Sequence, residues 1–404
     1  MSNTNLTGTI ITNESLAVLE NNLTFAKGCN REYDDKFAVA GAKIGTTLNI
    51  RKPARYVGRT GAAIGVEDHT ETQVPLVLDT QFGVDVSFTS QELTLSIDEF
   101  SDRIVKPAMA AIANKIDRDG LTMAYQSTYN AVGTPGTTPA TAAVALAAGA
   151  KLDFEAAPRD GQRSLVIDPL ANASFVDVLK GLFQSSEKIK DQYEQGNMGL
   201  AFGFKWSMDQ NVVNHVVGPL GGTPLTNGVP SQGATTLVTD GWTAAAASRL
   251  KKGDVFTIAN VFAVNPQNRQ STGQLRQFVV TADVSSDGSG NLTAAISPAI
   301  QSTGAFATVS ALPADNAAIT VLGAANTISP ANVAFHKDAF VLGSADLLLP
   351  KGVDMASRSA SKKVGLSVRM VRQYAINSDA FPCRFDVLYG YKAVYPELAC
   401  RIQG

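Results

Sequence analysis

The most regular apolar pattern in the chain lies between Ser96 and Tyr129. Apolar side chains recur there at steps of three and four residues, which places them along one face of a helix. Ser96 followed by Glu99 has the spacing of a capping box, so we expect the helix to begin there. Pro107 lacks an amide donor and should kink this helix or start a second one. The sequence therefore predicts a long amphipathic rod on which a sheet can pack. Its apolar face consists of Ile97, Phe100, Ile104, Ala108, Ala111, Ile112 and Ile116.

Alternation of apolar and polar residues predicts extended strands on both sides of this rod. Residues 46–93 contain two such segments around a glycine-rich tip, a pattern that indicates a long hairpin. Pro53 and Pro75 favour edge positions for its two arms. Two more strands are expected at Val364–Ile376 and Cys383–Tyr395, and these are natural partners for the apolar face of the rod.

The N-terminal residues 1–45 are interpreted as an arm. Asn13 is expected to cap a short helix whose apolar face carries Leu16, Leu19 and Leu23. A helix this short is not stable alone in water. Its apolar face must therefore dock elsewhere, on this subunit or on a neighbour.

The middle of the chain divides at a change of composition near Gly221. Before it, Ser164–Asp168 is expected to be a short buried strand, and residues 171–183 an amphipathic helix. From Gly221 to about Ile328 charged residues are few, and short apolar runs are separated by closely spaced turn signals. This pattern is typical of a small antiparallel barrel, here inserted into another domain.

The bulk properties narrow the class of protein. A chain of 404 residues is long enough for two or three domains. A net charge of -2 with 17% charged residues argues against charge-driven binding to nucleic acid. Three cysteines without a CxxC pair argue against a disulfide framework and fit a reducing compartment. The N-terminus has no signal-peptide pattern, and no apolar run approaches the ~20 residues that span a bilayer.

Motifs for chemistry are missing from the sequence. HExxH, GxSxG and the P-loop pattern do not occur. The three histidines, His69, His215 and His336, lie far apart along the chain. We therefore expect no catalytic site, no cofactor and no metal site.

Single residues that could carry chemistry have simpler interpretations. Cys383 begins a strand and is expected to be buried in the core. Asp287–Asn291 resembles a calcium loop only faintly, and a hairpin turn is favoured. Asp153, Glu155 and Asp168 are interpreted as solvated charges near turns.

Several segments resemble the major coat protein of short-tailed Salmonella-type bacteriophages. The resemblance runs in order through most of the chain and is weakest in the N-terminal arm and in the inserted β-rich part. It implies an α+β chain with the tailed-phage capsid fold of the Hong Kong 97 type and an inserted antiparallel β-barrel domain. The segments that carry it are Leu95–Asp117, Gly203–Val212, Phe335–Phe340, Leu349–Arg358, Val371–Asp379 and Pro382–Gly404.

The resemblance also implies a division of the chain into the parts of that fold. The expected parts are an N-terminal arm (1–45), an E-loop hairpin (46–93), a spine helix of the peripheral domain (94–133), an axial and peripheral α/β region (134–221), the inserted β-barrel (222–328), and a return to the axial domain and the peripheral strands (329–404).

The function that the resemblance implies is structural. Such a major capsid protein self-assembles as pentamers and hexamers into an icosahedral shell that encloses double-stranded DNA without sequence-specific binding. Its expected partners are a scaffolding protein and a portal protein at one vertex, with no membrane, and the shell matures by expansion. Assembly would take place in the host bacterial cytoplasm, and the product is the virion capsid.

Two functions from other classes remain as alternatives. One is a bacterial enzyme whose α/β domain carries a β-barrel insert, and the missing catalytic motifs count against it. The other is a surface adhesin, and the missing signal peptide counts against that. Some capsid relatives form a Lys–Asn crosslink on the hairpin, but the family resembled here is not known for it. Lys52 is therefore interpreted as a surface charge.

The hairpin gives a hypothesis for contacts between subunits. Its first arm is basic and the start of the rod is acidic, so the arm of one subunit could cross the rod of its neighbour. The alternative is that the basic residues only keep the loop soluble. The proposed contacts are Arg51, Lys52, Arg55 and Arg59 on the arm and Asp98, Glu99 and Asp102 on the rod.

Overall fold

The computed structural model describes residues 8–31, 47–67, 71–89, 104–179, 198–245, 247–360 and 365–404. These residues form a strand-rich mixture of helix and strand. The helices are α1 (Gly8–Asn22), α2 (Phe25–Gly28), α3 (Lys106–Ser127), α4 (Ala142–Phe154) and α5 (Pro169–Leu179), with 3-10 helices at Lys337–Ala339 and Pro396–Leu398.

The strands follow in chain order. They are β1 (Thr47–Lys52), β2 (Thr72–Val77), β3 (Thr80–Thr89), β4 (Ala131–Val132), β5 (Arg163–Ile167), β6 (Leu200–Ala201), β7 (Phe204–Met208), β8 (Asn214–Val216), β9 (Gly222–Thr226), β10 (Ala234–Trp242), β11 (Ser248–Leu250), β12 (Val255–Val264), β13 (Ser271–Val280), β14 (Val284–Ser285), β15 (Leu292–Ile300), β16 (Ile319–Val321), β17 (Ile328–Pro330), β18 (Asn332–His336), β19 (Phe340–Ser344), β20 (Met355–Ala360), β21 (Ser367–Arg372), β22 (Ala380–Ala393) and β23 (Ala399–Ile402).

The chain divides into two compact units. The first comprises Met1–Ile50, Val74–Gly120 and Phe340–Val394, and the second comprises Arg51–Gln73, Leu121–Ala339 and Tyr395–Gly404.

The first unit is built around the long strand β22. It pairs antiparallel with β21, which in turn pairs with β20, and it also pairs with β19 and β3. The alternating residues Phe385, Val387 and Tyr389 are buried on one face of the sheet. The two predicted C-terminal strands are confirmed, since β21 and β22 pair with Val368 opposite Val387.

The predicted rod is present as α3 from Lys106 onward. Ile112 and Ile116 are completely buried, as the apolar pattern predicted. Ile104 and Val105 before α3 have π-helical geometry, so α3, whose second residue is Pro107, directly follows an irregular turn of helix. In the first unit the Tyr389 hydroxyl donates to the Asp119 carboxylate (2.7 Å), which ties the helix to the sheet. The predicted start at Ser96 lies outside the described residues.

The N-terminal helix is longer than predicted. It begins at Gly8, so Asn13 lies inside α1 instead of capping it. There the Asn13 side-chain oxygen accepts a hydrogen bond from the Ser359 hydroxyl of β20 (2.5 Å). Leu16 and Leu19 are buried, and α1 packs against β20 and β21 of the same chain.

The hairpin prediction was right for the first arm and wrong for part of the second. β1 and β2 form a two-stranded sheet, but β3 leaves this pair and joins β22 instead. The physical reason is that β22 offers β3 an unbroken register from Ala380 opposite Thr89 to Tyr389 opposite Thr80. Such a pairing between segments some 300 residues apart cannot be read from local alternation.

A mixed six-stranded sheet organises one part of the second unit. Its strand order is β4-β23-β18-β5-β7-β6, with β5 parallel to β7 and β4 parallel to β23. The predicted buried strand at Ser164–Asp168 is confirmed as β5. Helices α4 and α5 cover this core, in which Phe175 and Trp206 meet edge to face at 5.0 Å.

A second six-stranded sheet follows Gly221, with the order β16-β12-β13-β15-β10-β9. An antiparallel bridge between Leu225 and Ala318 brings the two outermost strands of this order together. Phe256 and Phe278 stack in the apolar core that the strands enclose. The strands β8 and β17, which precede and follow this sheet in the chain, pair with each other.

Two of the three acidic residues interpreted as solvated charges require correction. Glu155 is buried and pairs with the buried Arg276 (2.5 Å). Asp168 is also buried, and its carboxylate accepts the backbone amide of Leu170 at the start of α5 (3.2 Å). Only Asp153 remains partly exposed, held by Arg159 and Arg163. The partner of Glu155 lies 121 positions away, so no local sequence pattern predicts this ion pair.

The prediction that Cys383 is buried in the core is confirmed. Cys383 is buried, and so are Cys29 and Cys400, all three as free thiols. Among the described residues, no group of three or more His, Cys, Asp and Glu side chains is placed to hold a metal ion. The helices within the described ranges include none with the length and apolar character needed to cross a bilayer.

Candidate subunit interface

The hairpin formed by β1, β2 and the tip between them is the candidate interface. Residues 53–67 of the tip have neither helix nor strand. The amides of Val57 and Gly58 donate to the two carboxylate oxygens of Glu67, at 2.7 and 2.6 Å. From the loop after β12, the guanidinium of Arg269 donates to the carbonyls of Tyr56 and Val57. These contacts give the tip a defined shape without regular structure.

Arg55 makes its contacts within its own chain. Its guanidinium pairs with Glu397 (3.0 Å) and lies over the ring of Phe306, 5.8 Å from the ring centroid. Both side chains of the ion pair are more than half buried. Arg55 therefore fixes the arm instead of presenting a mobile charge to a neighbour.

Lys52 is also held within its subunit. Its ammonium lies 4.8 Å from the centroid of the Tyr395 ring, a cation–π distance. Burial lowers the pKa of Lys52, and the nearby Glu397 opposes part of that change. The interpretation of Lys52 as a plain surface charge is therefore wrong, because its ammonium is partly desolvated against an aromatic ring.

Arg51 and Arg59 remain as the outward-facing charges of the hairpin. Arg51 is largely exposed, and its nearest carboxylate, Glu71 on the other arm, is 3.9 Å away. Arg59 is exposed and donates to the carbonyl of Gly61 within the tip. The acidic partners proposed for the basic arm, Asp98, Glu99 and Asp102, lie outside the described residues.

Sequence reasoning missed the apolar character of the tip. Ile64 and Val66 are 85% and 90% exposed, and Tyr56 and Val57 are about half exposed. The signal was present in the sequence, because four large apolar residues stand in a glycine-rich segment that has no helix or strand pattern to bury them. The tip therefore exposes large apolar side chains in a segment that has neither helix nor strand.

Comparison with solved structures finds phage proteins at low sequence identity. The structure titled "Mycobacterium phage Che8" aligns over 94% of this chain and 90% of its own, with 14% identity and a TM-score of 0.46. The "Capsid of Ralstonia phage GP4" covers 94% and 87%, with 8% identity and a TM-score of 0.46. The "CUS-3 coat protein I-domain" covers 25% of this chain and 95% of its own, with 26% identity and a TM-score of 0.19.

A search of the curated proteins found no match. The family comparison is decisive, because the family described as "P22 coat protein - gene protein 5" matches residues 1–404, the whole chain. The chain therefore belongs to the P22 coat protein family and is a bacteriophage major capsid protein.

Proposed function

We propose that the chain assembles without covalent crosslinks, as pentamers and hexamers, into an icosahedral shell around double-stranded DNA. The observation that carries this proposal is the family match over all 404 residues. A separate scaffolding protein guides assembly in the host cytoplasm, a portal protein occupies one vertex, and the shell expands when DNA enters. The protein acts as a building unit and not as an enzyme.

The proposed parts of the subunit follow the capsid fold of the Hong Kong 97 type. The arm (1–45), the E-loop (46–93) and the spine (94–133) are followed by the α/β region (134–221), the insert (222–328) and the C-terminal return (329–404). Two features support an inserted barrel. The outer strands of the second six-stranded sheet meet at Leu225 and Ala318, and the flanking strands β8 and β17 pair with each other.

Co-expression with the scaffolding protein of the same phage tests the assembly mechanism. We expect fast-sedimenting particles of uniform size when both proteins are present, and irregular particles or free subunits when the scaffold is left out. Uniform closed shells formed equally well without the scaffold would contradict the proposed guidance. No particles under either condition would contradict the capsid assembly itself.

The hairpin is the proposed contact to the neighbouring subunit. A two-stranded hairpin is marginally stable in water, so covering its exposed apolar residues Ile64 and Val66 with another surface should stabilise it. Because Lys52 and Arg55 are held inside their own subunit, Arg51 and Arg59 are the charges available to the acidic spine start of a neighbour. An exposed ion pair contributes only about 0–1 kcal/mol, but a shell repeats the contact at every subunit.

The contact is tested by reversing those two charges with Arg51→Glu and Arg59→Glu. Arg55→Glu is unsuitable, because it would break the pair with Glu397 inside the chain. We expect the double variant to stay soluble as free subunits, and Glu99→Arg with Asp102→Arg in the same chain to restore some shells.

A matched control changes the net charge equally at exposed positions outside the hairpin sequence, with Lys205→Glu and Lys351→Glu. We expect this control to form shells. If the hairpin variant assembles normally at physiological salt, the basic arm only keeps the loop soluble.

A further inference from the structure

A short segment after α1 is fastened to the spine helix by one carboxylate. The Asp117 carboxylate of α3 accepts the backbone amides of Thr24 (2.6 Å) and Ala26 (3.0 Å). Thr24 precedes the four-residue helix α2 and does not cap it with its own side chain. Asp117 therefore supplies, from another element, the acceptor that an N-cap residue normally provides.

The same segment inserts an aromatic ring beside the carboxylate. Phe25 is completely buried, with its ring centroid 5.7 Å from that of Phe340 and 6.1 Å from that of Tyr391. Gly120, one turn beyond Asp117 on α3, makes room for it. A Cβ at that position would lie only 2.6 Å from the Phe25 ring.

The far end of the segment is held by backbone hydrogen bonds. The Asn30 amide donates to the Phe340 carbonyl (2.9 Å), and the Leu342 amide donates to the Asn30 carbonyl (3.1 Å). Residues 24–31, which we call the strap, are thus fixed by a carboxylate at one end, a ring in the middle and a strand-like bridge at the other end.

The strap has little stability of its own. A helix of four residues is far below the length that is stable alone, so its conformation depends on the contacts to α3 and β19. Two amides of the strap donate to the Asp117 carboxylate, and Asp117 is only 1% exposed. Hydrogen bonds to a buried charged group contribute more to stability than hydrogen bonds between neutral groups. Removing the charge of Asp117 should therefore weaken the attachment of the strap before it affects the rest of the fold.

We propose that the strap opens and closes as a local unit, and that Asp117 is the positioning residue that sets how much of it is closed. Opening detaches residues 24–31 from α3 and β19 and exposes the Phe25 side chain, while α1 keeps its own contacts with β20 and β21. A role of strap opening in shell assembly rests on the proposed function. The opening itself is a property of the single chain and is tested in the free subunit.

Cys29 lies within the strap, and its reactivity can report on opening of the strap. This thiol is buried, and it lies 3.5 Å from the Phe25 carbonyl. Burial raises the pKa of Cys29, and it raises the pKa of Cys383 to about 11 and that of Cys400 to about 12. Because alkylation needs the exposed thiolate, each cysteine reacts only when its own surroundings open.

The experiment measures iodoacetamide labelling of the three cysteines by peptide mass spectrometry in the assembly-free subunit. Asp117→Asn keeps the size of the side chain and removes its charge. We expect it to accelerate labelling of Cys29 by about tenfold or more, equivalent to about 1.4 kcal/mol. Labelling of Cys383 and Cys400 should stay at the wild-type rates.

Asp119→Asn is the matched control, because Asp119 lies two residues along the same helix and bonds Lys115 and Tyr389 but not the strap. It should leave the rate at Cys29 unchanged relative to the other two thiols. If Asp117→Asn accelerates all three cysteines equally, the opening is global and the local strap is refuted. An unchanged rate at Cys29 refutes the role of Asp117.

A second variant decides the matter if Asp117→Asn fails to fold. Phe25→Leu keeps an apolar side chain in the socket but removes the ring contacts with Phe340 and Tyr391. We expect the same selective acceleration at Cys29. Equal acceleration at all three thiols, or none, would overturn the proposal in this variant as well.

Discussion

Arg276 and Glu155 show how single buried charges join distant elements of the second unit. Arg276 projects from β13, pairs with Glu155 at the end of α4 (2.5 Å), and lies 4.5 Å from the centroid of the Tyr129 ring. The next residue, Gln277, exchanges two hydrogen bonds with the backbone of Ala131, both 2.9 Å. The side-chain amide of Gln277 thus hydrogen-bonds the backbone N–H and C=O of Ala131 at the edge of β4, as a neighbouring strand would.

Removing only the cation should be severely destabilising. Arg276→Met leaves the Glu155 carboxylate buried without its partner, which costs about 3–5 kcal/mol. The double variant Arg276→Met with Glu155→Leu removes both charges and should recover most of that loss. Thermal unfolding of the single and double variants measures the coupling. Additive effects of the two substitutions would contradict a direct ion pair.

Ile112 provides the corresponding test for the apolar face of the spine helix. Ile112 is completely buried, so Ile112→Ala should destabilise the protein by about 2–5 kcal/mol through the cavity it leaves. Ile112→Val is the graded control and should cost about 0.5–1.5 kcal/mol. Equal melting temperatures for wild type and Ile112→Ala would show that the helix face is not packed.

The residue scale also marks where sequence reasoning stops. Burial of Ile112 followed from a helical repeat, which is a local property of the sequence. Burial of Glu155 did not, because its partner Arg276 comes from a distant part of the chain. The contacts of the hairpin cations could not be predicted for the same reason. Glu397 and Phe306, which contact Arg55, and Tyr395, which contacts Lys52, all lie more than 240 positions further along the chain.

At the scale of elements, alternation identified strands well and their partners poorly. The two C-terminal strands were predicted from period-two patterns and are present as β21 and β22. The same pattern in β3 could not reveal that its partner is β22 and not β1. Strand existence is encoded locally, but pairing depends on which free edge the whole fold offers.

The insert is the element most suited to an independent test. Its strands pair within residues 222–321 and enclose their own apolar cluster. A fragment of residues 222–328 should therefore fold alone and give a well-dispersed amide proton spectrum. A collapsed, poorly dispersed spectrum would show that the insert needs the rest of the chain.

The turn at Asp287 gives a pH-dependent signal in that fragment. The Asn291 amide, then its side chain and the Ser289 amide, donate to the carboxylate and lower the pKa of Asp287 below its ordinary value of 3.8. A lowered folded pKa means that the turn is stabilised above pH 3.8 and loses this stabilisation as the pH falls through the folded pKa.

Carboxyl carbon chemical shifts of the fragment between pH 2 and 7 should give a midpoint for Asp287 below 3.8. The amide shifts of Ser289 and Asn291 should follow the same midpoint. A midpoint at or above 3.8 would mean that these hydrogen bonds do not form in solution.

At the scale of the whole molecule, function followed from the family and not from a chemical motif. A protein that functions by associating with other subunits needs contact surfaces. A single sequence contains little information about where such surfaces lie. The exposed apolar residues Ile64 and Val66 lie on the hairpin tip, which belongs to the proposed contact with a neighbouring subunit. Segment resemblance pointed to a coat protein, and the family match over residues 1–404 establishes it.

Size-exclusion chromatography of the expressed chain, with negative-stain electron microscopy of each peak, tests the central claim most directly. The account predicts capsomers, tubes or closed shells in the early fractions, in a ratio to free subunit that rises with protein concentration. A compact monomer that remains the only species at every concentration, with no particles on the grid, would contradict the account.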